Sequence, residues 1–198
     1  MARKKSEQCR LAILDAAAQV MHDKGYLDMS IEEVACRAKA GKQTVYRHFW
    51  GKSRLALEAF VHKAASQLDL PDTGSLEGDL ARYLDDVAHA MDVPAKRQML
   101  AGLLAEVQTD DELGDAFRRE LIEAKRTALR TVFQRGIARG EVPADADLDV
   151  LVDLVHGPIW FRLLISGAPL DAHFVAGLVA AVVQAARAPC EGARTLSA

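Results

Sequence analysis

Apolar residues recur at intervals of three and four along almost the whole chain, and no stretch alternates with period two between hairpin turns. The pattern predicts helices throughout and no sheet. A first helix is expected from about Glu7 to Lys24, with Cys9, Ile13, Ala16, Ala17 and Val20 on one face and Gly25 as terminator. Ile31, Val34, Ala35 and Ala38 mark a second, Ala40-Gly41 breaks it, and Lys42 to Phe49 opens a third. A fourth starts near Lys52 or Ser53, carries Leu55, Ala59, Phe60 and Ala64, and stops before the loop Pro71-Asp72-Thr73-Gly74-Ser75. Leu76, Leu80, Tyr83, Leu84, Val87 and Met91 define a fifth; Pro94 opens a sixth holding Met99, Leu103, Leu104 and Val107. Asp110-Asp111 suits the positive end of a long seventh helix whose buried face is Leu113, Phe117, Leu121, Ala124 and Ala128, with Gly140 at its end. After a polar connector from Pro143 to Asp147, two apolar segments near 148–166 and 171–187 bring the total to about nine helices. Pro158 lies inside the first of these and predicts a kink or a break there.

The second and third helices carry the densest chemistry. Ser30 stands three residues before Glu33 and directly ahead of an apolar run, the spacing of a capping box. Ser30 then caps the second helix and leaves free amides that favour phosphate. Helix, tight turn and short polar helix form a helix-turn-helix, the third helix bearing Lys42, Gln43, Thr44, Tyr46, Arg47 and His48. These side chains suit phosphates and base edges in a major groove: Gln43 for adenine, Arg47 for guanine, and Thr44 for phosphate or a thymine methyl. Tyr46 and Lys52 are spaced to grip successive phosphates. Phe49 and Trp50 are expected to pack the domain, and Arg3, Lys4, Lys5 and Arg10 to form either a solvated run or an arm on the DNA.

Charge changes the picture once it is divided. The net charge of −3 taken whole argues against a nucleic-acid partner. Residues 1–54 nevertheless hold 11 Lys and Arg against 6 Asp and Glu, and the remainder 14 against 22. A basic amino-terminal module on an acidic body is the footprint of DNA binding by one end. Domain limits of 1–52 for the DNA-binding module and 53–198 for the helical body follow.

Other chemistries find little support. No run of eighteen apolar residues spans a membrane, and the basic start leads into no apolar leader, so a cytoplasmic protein is expected. Cys9, Cys36 and Cys190 are odd in number and far apart, which suits reduced thiols rather than a disulfide framework or zinc site. Asp85/His89 and Asp153/His156 are lone helical pairs lacking a third ligand, so they read as surface or core-edge histidines and no metal is expected. No catalytic triad, phosphate loop or metalloprotease motif can be assembled, so no cofactor and no catalytic residue is assigned. The last two helices are apolar around much of their circumference and call for a second partner surface. A homodimer built as a four-helix bundle would supply it, with Leu151, Val155, Ile159, Leu163, Phe174, Leu178 and Val182 as the candidate interface.

Thr44-Val45-Tyr46, Phe49, Lys52 and Leu55 match the Thr-(Leu/Ile/Val)-Tyr-x-x-Phe-x-x-Lys-x-x-Leu signature that resembles the DNA-binding domain of the TetR (tetracycline repressor) family of one-component bacterial regulators. The chain departs from the commonest form in the turn, where Ala38-Lys39-Ala40-Gly41 replaces Ala-Gly-Val-Ser. Gly41 caps less well than serine, and Lys39 is strained if that turn needs positive φ. Gly140-Glu141, Asp153-Leu154, Gly157-Pro158, Arg162-Leu163-Leu164 and Pro169-Leu170 resemble one subgroup of the family's ligand-binding domains. The resemblance implies a dimer joined through the last two helices, a double-stranded DNA operator of pseudo-palindromic sequence, and a small-molecule effector that releases the repressor. It also implies a pocket among helices four to eight, lined by some of Phe60, Leu84, Met91, Met99, Leu103, Phe117, Leu121, Trp160 and Phe161, although apolar residues at this spacing are more often plain core than ligand contacts. Two other readings compete: a helical small-molecule binder or enzyme whose helix-turn-helix is structural, and a DNA-binding regulator controlled through Cys9 or Cys36.

Overall fold

A computed structural model describes residues 2–65 and 70–188, with the side chains of 2–5, 64, 65 and 95 left aside. Every regular element among them is helical: α1 (Ala2–Lys24), α2 (Ile31–Arg37), α3 (Lys42–His48), α4 (Lys52–Ala65), α5 (Leu76–Met91), α6 (Pro94–Val107), α7 (Asp111–Phe117), α8 (Glu123–Ala138), α9 (Leu148–Phe161) and α10 (Ala172–Arg187). A π turn, Arg118–Ile122, joins α7 to α8 as one continuous helix, so the described rods number nine. The all-α expectation holds, and most boundaries fall where the caps put them. Ser75, Asp110, Asp147 and Asp171 each accept a backbone N–H of the first turn they precede. Gly25, Gly140 and Gly167 take positive φ just past helical segments.

The chain divides into two compact units, 1–68 with 93–123 and 69–92 with 124–198. The first is α1 to α4 with α6, α7 and the π turn. α1 is its hub, packed on α2, α3, α4 and α6, while α4 also meets α6 and α7. Ile13, Ala17, Val20, Val34, Val45, Phe49, Leu55 and Leu57 are fully enclosed there. In the second, α10 packs on α5 and α9 around Leu80, Leu129, Val132, Phe133, Val152 and Val155. The expected limit at 52/53 is thus crossed by packing, since α4, α6 and α7 sit with the helix-turn-helix.

Pro158 does not break α9 into two elements; the helix runs through it to Phe161 and passes into a π turn at Arg162–Ser166. The amide that proline lacks would have met the Leu154 carbonyl, and Leu154 lies on an exposed side of α9 where water can replace it. No described helix is long and apolar enough to cross a membrane.

In the second unit the α5 start is pinned by charge. Asp79 is fully buried, yet its carboxylate accepts Thr73 N at 2.6 Å, Thr73 Oγ1 at 2.8 Å and Arg139 Nη2 at 3.1 Å. Burial raises its pKa, but these donors together outweigh burial and hold it below 3.8.

Candidate DNA-binding surface

The surface is built from the end of α1, α2, α3 and the first turn of α4. Ser30 caps α2 as expected, accepting Glu33 N at 3.2 Å. The reciprocal half of the capping box is not made: the Glu33 carboxylate instead takes Lys24 Nζ at 2.8 Å and Arg37 Nη2 at 3.0 Å. Arg37 also donates to Asp23 at 2.5 Å, tying α2 to the end of α1.

The turn between α2 and α3 closes as a Schellman motif. Ala40 N reaches Ala35 O at 2.9 Å and Lys39 N reaches Cys36 O at 3.1 Å. The residue between the helices that must turn left-handed is Lys39, at φ 51°, the one non-glycine among the described residues with positive φ. The strain expected of a lysine in the usual glycine place is therefore present, about 1–2 kcal/mol for an L-residue in that region. Gly41 precedes α3 with no side-chain cap, also as expected.

Two faces of α3 separate cleanly. Val45, with Phe49 just beyond the helix, is fully enclosed and fastens it to the domain. Gln43, Tyr46 and Arg47 are exposed at spacings of three and four, so they share the outward face. Trp50, two residues past the end of α3, is also exposed, at 74%. It was expected to pack the domain, and it does not; it stands one step past Phe49, where the chain has left the helix and the side-chain direction reverses.

The remaining predicted residues are placed unequally. Thr44 is half-buried at the edge of the face. His48 turns inward, its Nε2 sealed from solvent without a hydrogen-bond partner, so that nitrogen is not offered to a base. Lys42 pairs with Glu32 and lies 5.9 Å over the Tyr46 ring, so its charge is partly compensated before any phosphate arrives. Lys52 donates to the Leu27 carbonyl at 2.8 Å with its ammonium 4.7 Å over the Tyr26 ring. It anchors α4 to the loop after α1 while keeping donors to spare. Arg10 is committed to Glu58 and to the Phe49 ring rather than to an arm, and the side chains of Arg3, Lys4 and Lys5 lie outside the described residues.

Behind the surface lies a junction that sequence spacing did not reveal. Tyr26 is enclosed and donates its hydroxyl to Glu106 of α6 at 2.5 Å, with Ser53 Oγ of α4 at 3.1 Å. Ser53 donates to the other oxygen of the same carboxylate. Gly102, one turn earlier on α6, lets the ring close in: a Cβ there would fall 2.6 Å from Tyr26 Cδ1. The π turn brings Glu120 to Arg54 of α4 at 2.9 Å, and Arg54 also holds Glu58 at 2.8 Å. The start of α4, next to α3, is therefore fixed by two carboxylates from α6 and the π turn. These partners are 53 to 80 residues apart in sequence.

The nine effector-pocket candidates do not gather in one unit. Phe60, Met99, Leu103, Phe117 and Leu121 belong to the first; Leu84, Met91, Trp160 and Phe161 to the second, with Phe161 exposed. Of the interface candidates, Leu151, Val155, Ile159, Leu163, Leu178 and Val182 are each at most 9% exposed in the single chain. They form the protomer's own core and have little surface left for a second copy. Phe174 is half-buried beneath the Arg162 guanidinium, 4.0 Å from its ring centroid. The exposed apolar stripe of α9 is instead Val150 (52%), Leu154 (42%) and Phe161 (57%), with Ile165 (75%) in the turn that follows.

An all-helical chain that presents a polar helix on a helix-turn-helix and carries a larger helical body is a DNA-binding transcriptional regulator in architecture. The comparisons define its family. Residues 13–59 match the model for bacterial regulatory proteins of the tetR family, and residues 70–182 match the tetracyclin repressor-like C-terminal domain. The chain belongs to the TetR family of transcriptional regulators. It is 31% identical to the DNA-binding transcriptional repressor TetR of Mycobacteroides abscessus, over 85% of this chain and 88% of that one. It is 29% identical to the HTH-type transcriptional regulator YdeS of Bacillus subtilis, over 89% of each. Among solved structures, the TetR family transcription regulator SCO0332 superposes with a TM-score of 0.81 at 29% identity, covering 90% of this chain and 98% of that one. FadR from Bacillus subtilis, solved in complex with stearoyl-CoA, shares the fold at TM-score 0.59 and 19% identity, over 90% and 97% of the two chains. Neither the enzyme reading nor the redox reading finds support in these relatives.

Proposed function

We propose that this regulator represses transcription as a homodimer, binding a pseudo-palindromic operator through its paired α3 helices and leaving it when a small molecule binds the C-terminal domain. The observation that carries the reading is the outward row of Gln43, Tyr46 and Arg47 on a helix fastened from behind by Val45 and Phe49, with Trp50 exposed just past its end. Arg47 and Gln43 reach base edges; Tyr46, Thr44 and Lys52 take phosphates, and Lys42 joins them by exchanging Glu32 for the backbone. Two such helices roughly 34–36 Å apart enter successive major grooves.

The second copy docks on the stripe Val150, Leu154, Phe161 and Ile165, beside the small exposed Ala176, Gly177 and Ala180 of α10. An apolar row of this length on a lone chain is the mark of an interface. FadR, solved in complex with stearoyl-CoA, supports a ligand for a regulator of this fold, and a ligand acts by preferring one of two conformations. Sedimentation of wild type and of Leu154→Glu/Ile165→Glu, each titrated with a labelled mixed-sequence duplex, tests both parts. Wild type sediments as a dimer and binds; the variant is a monomer with much weaker binding. A monomeric wild type would contradict the reading.

A further inference from the structure

The chain leaves α3 at Phe49, whose backbone is extended at φ −136° and ψ 126° and whose amide closes the helix on the Val45 carbonyl at 2.8 Å. In extended backbone successive side chains point to opposite sides. Phe49 is driven wholly into the core, so Trp50 is turned out of it, and its indole stands 74% exposed. Gly51 follows, its carbonyl accepting Leu55 N at 3.1 Å as α4 begins. Only residues 49–51 separate the two helices, with Phe49 fully enclosed before Trp50 and Leu55 fully enclosed after it. The joint is fixed at both ends, so the fold itself holds the tryptophan out in water.

An exposed indole offers a broad apolar face and one N–H donor, with no acceptor. Its neighbours select a partner for it. Tyr46 lies four positions before it and Lys52 two after, and the exposed Arg47 precedes it in the last turn of α3. Lys52 reaches the Leu27 carbonyl at 2.8 Å, which brings the loop after α1 to the same edge. Of the acids near this face, Glu32 is taken by Lys42, and Glu33 by Lys24 and Arg37; Asp28, beside Leu27, is exposed. A donor-only ring on an edge with Arg47 and Lys52 suits a polyanion that presents apolar sugar between its charges, which is the DNA backbone. Recognition helices of this type set their N-terminal residues on base edges. Trp50 stands two residues beyond the opposite end of α3, toward the groove wall where the backbone runs.

We propose that Trp50 lies against the sugar-phosphate backbone bordering the groove that α3 enters, its ring face on deoxyribose and its Nε1–H donated to a phosphate oxygen. The contact rests on the reading that α3 is the helix in the groove, and it adds a positioning residue to that reading. It reads no base, so it tightens every sequence alike and helps fix the register in which Gln43 and Arg47 meet theirs.

The test uses the full chain, titrated with a labelled mixed-sequence duplex over a range of low salt concentrations. Trp50→Ala weakens binding by about five- to thirty-fold. It leaves the salt slope at the wild-type value, because a neutral donor displaces no counterion, whereas Lys52→Ala reduces the slope by about one. Trp50→Phe keeps a ring without the donor and loses an intermediate amount. Both Trp50 variants keep the wild-type thermal midpoint, since the indole makes little contact with the domain, so the lost affinity is not lost fold. The chain holds two tryptophans, so Trp160→Phe leaves Trp50 as the sole indole emitter. The difference between wild type and Trp50→Phe gives the same signal independently. Acrylamide quenches Trp50 strongly in the free protein at every protein concentration, and much less on the duplex.

Wild-type affinity in Trp50→Ala, or equal quenching free and bound, overturns the contact. So does an indole already shielded in the free protein as its concentration rises, which would assign Trp50 to a second copy. Arg47→Ala measured alongside separates the two claims. If Arg47→Ala and Lys52→Ala weaken binding and Trp50→Ala does not, the Trp50 contact alone fails. If none of the three weakens it, the α3 reading fails as well.

Discussion

Replacing Gly102 by alanine should damage this protein, although the same change in the middle of most helices helps. An alanine in α6 gains up to about 1 kcal/mol of helix propensity over glycine. Here the added methyl would lie 2.6 Å from Tyr26 Cδ1 and 3.3 Å from Cε1, against a comfortable carbon contact of about 3.5–4 Å. The ring must retreat by about 1 Å. It has nowhere easy to go: it is enclosed, its hydroxyl is held by Glu106 at 2.5 Å and Ser53 at 3.1 Å, and Lys52 sits over its face. Overpacking of this kind costs roughly 1–3 kcal/mol, and with the ring held at its hydroxyl and its face the cost falls at about 2–3 kcal/mol, so the net loss is about 1–2 kcal/mol. For a chain of this size that lowers the thermal midpoint by about 2–8 °C. Differential scanning calorimetry of Gly102→Ala, Tyr26→Phe and the double variant measures it. In Tyr26→Phe the tether is gone and the ring can withdraw, so the two changes together should cost less than their sum. A midpoint equal to or above that of wild type in Gly102→Ala, or strict additivity, would refute the account of this junction.

The other predictions concern the turn, the acid response and the DNA face. Lys39→Gly relieves a left-handed lysine and should stabilise the protein by about 0.5–1 kcal/mol in urea unfolding; a loss would mean that Lys39 makes a compensating contact. Because the folded pKa of Asp79 is depressed, its contribution is present above pH 3.8 and is lost as pH falls through the lower folded value. Asp79→Asn should therefore lower stability at neutral pH and flatten its decline below about pH 4, read from thermal midpoints across pH. Glu32→Gln frees Lys42 and removes a negative charge beside the phosphates, so duplex affinity should rise at low salt for every sequence, by anisotropy titration. Arg47→Ala should reorder which sequence is preferred, whereas Lys52→Ala should weaken all sequences alike and reduce the salt slope by about one.

Much of the amino-terminal module is legible because its determinants are local. Ser30, Gly25, the break at Ala40-Gly41 and the apolar spacing of α1 to α3 all act within a turn or two of themselves, and the left-handed Lys39 follows from its place after the α2 cap. The missing half of the capping box was decided by Lys24 and Arg37, which reach Glu33 from another helix and from the next turn. The last two helices mislead for a different reason. α9 carries two apolar stripes, Leu151/Val155/Ile159 and Val150/Leu154/Phe161, and helical period alone does not say which one the protomer consumes. The Tyr26–Ser53–Glu106 junction left no trace in spacing, because a Glu on α6 reads as a solvated charge until the fold sets it beside a buried phenol.

Selection of bound sequences from a random duplex library at near-physiological salt, with the purified chain, tests the central claim most directly. Enrichment of an inverted repeat, whose half-sites are centred about one helical turn apart, is the predicted result. Enrichment of a single unpaired half-site would contradict the dimeric account, and no enrichment by a folded chain would contradict sequence-specific repression itself.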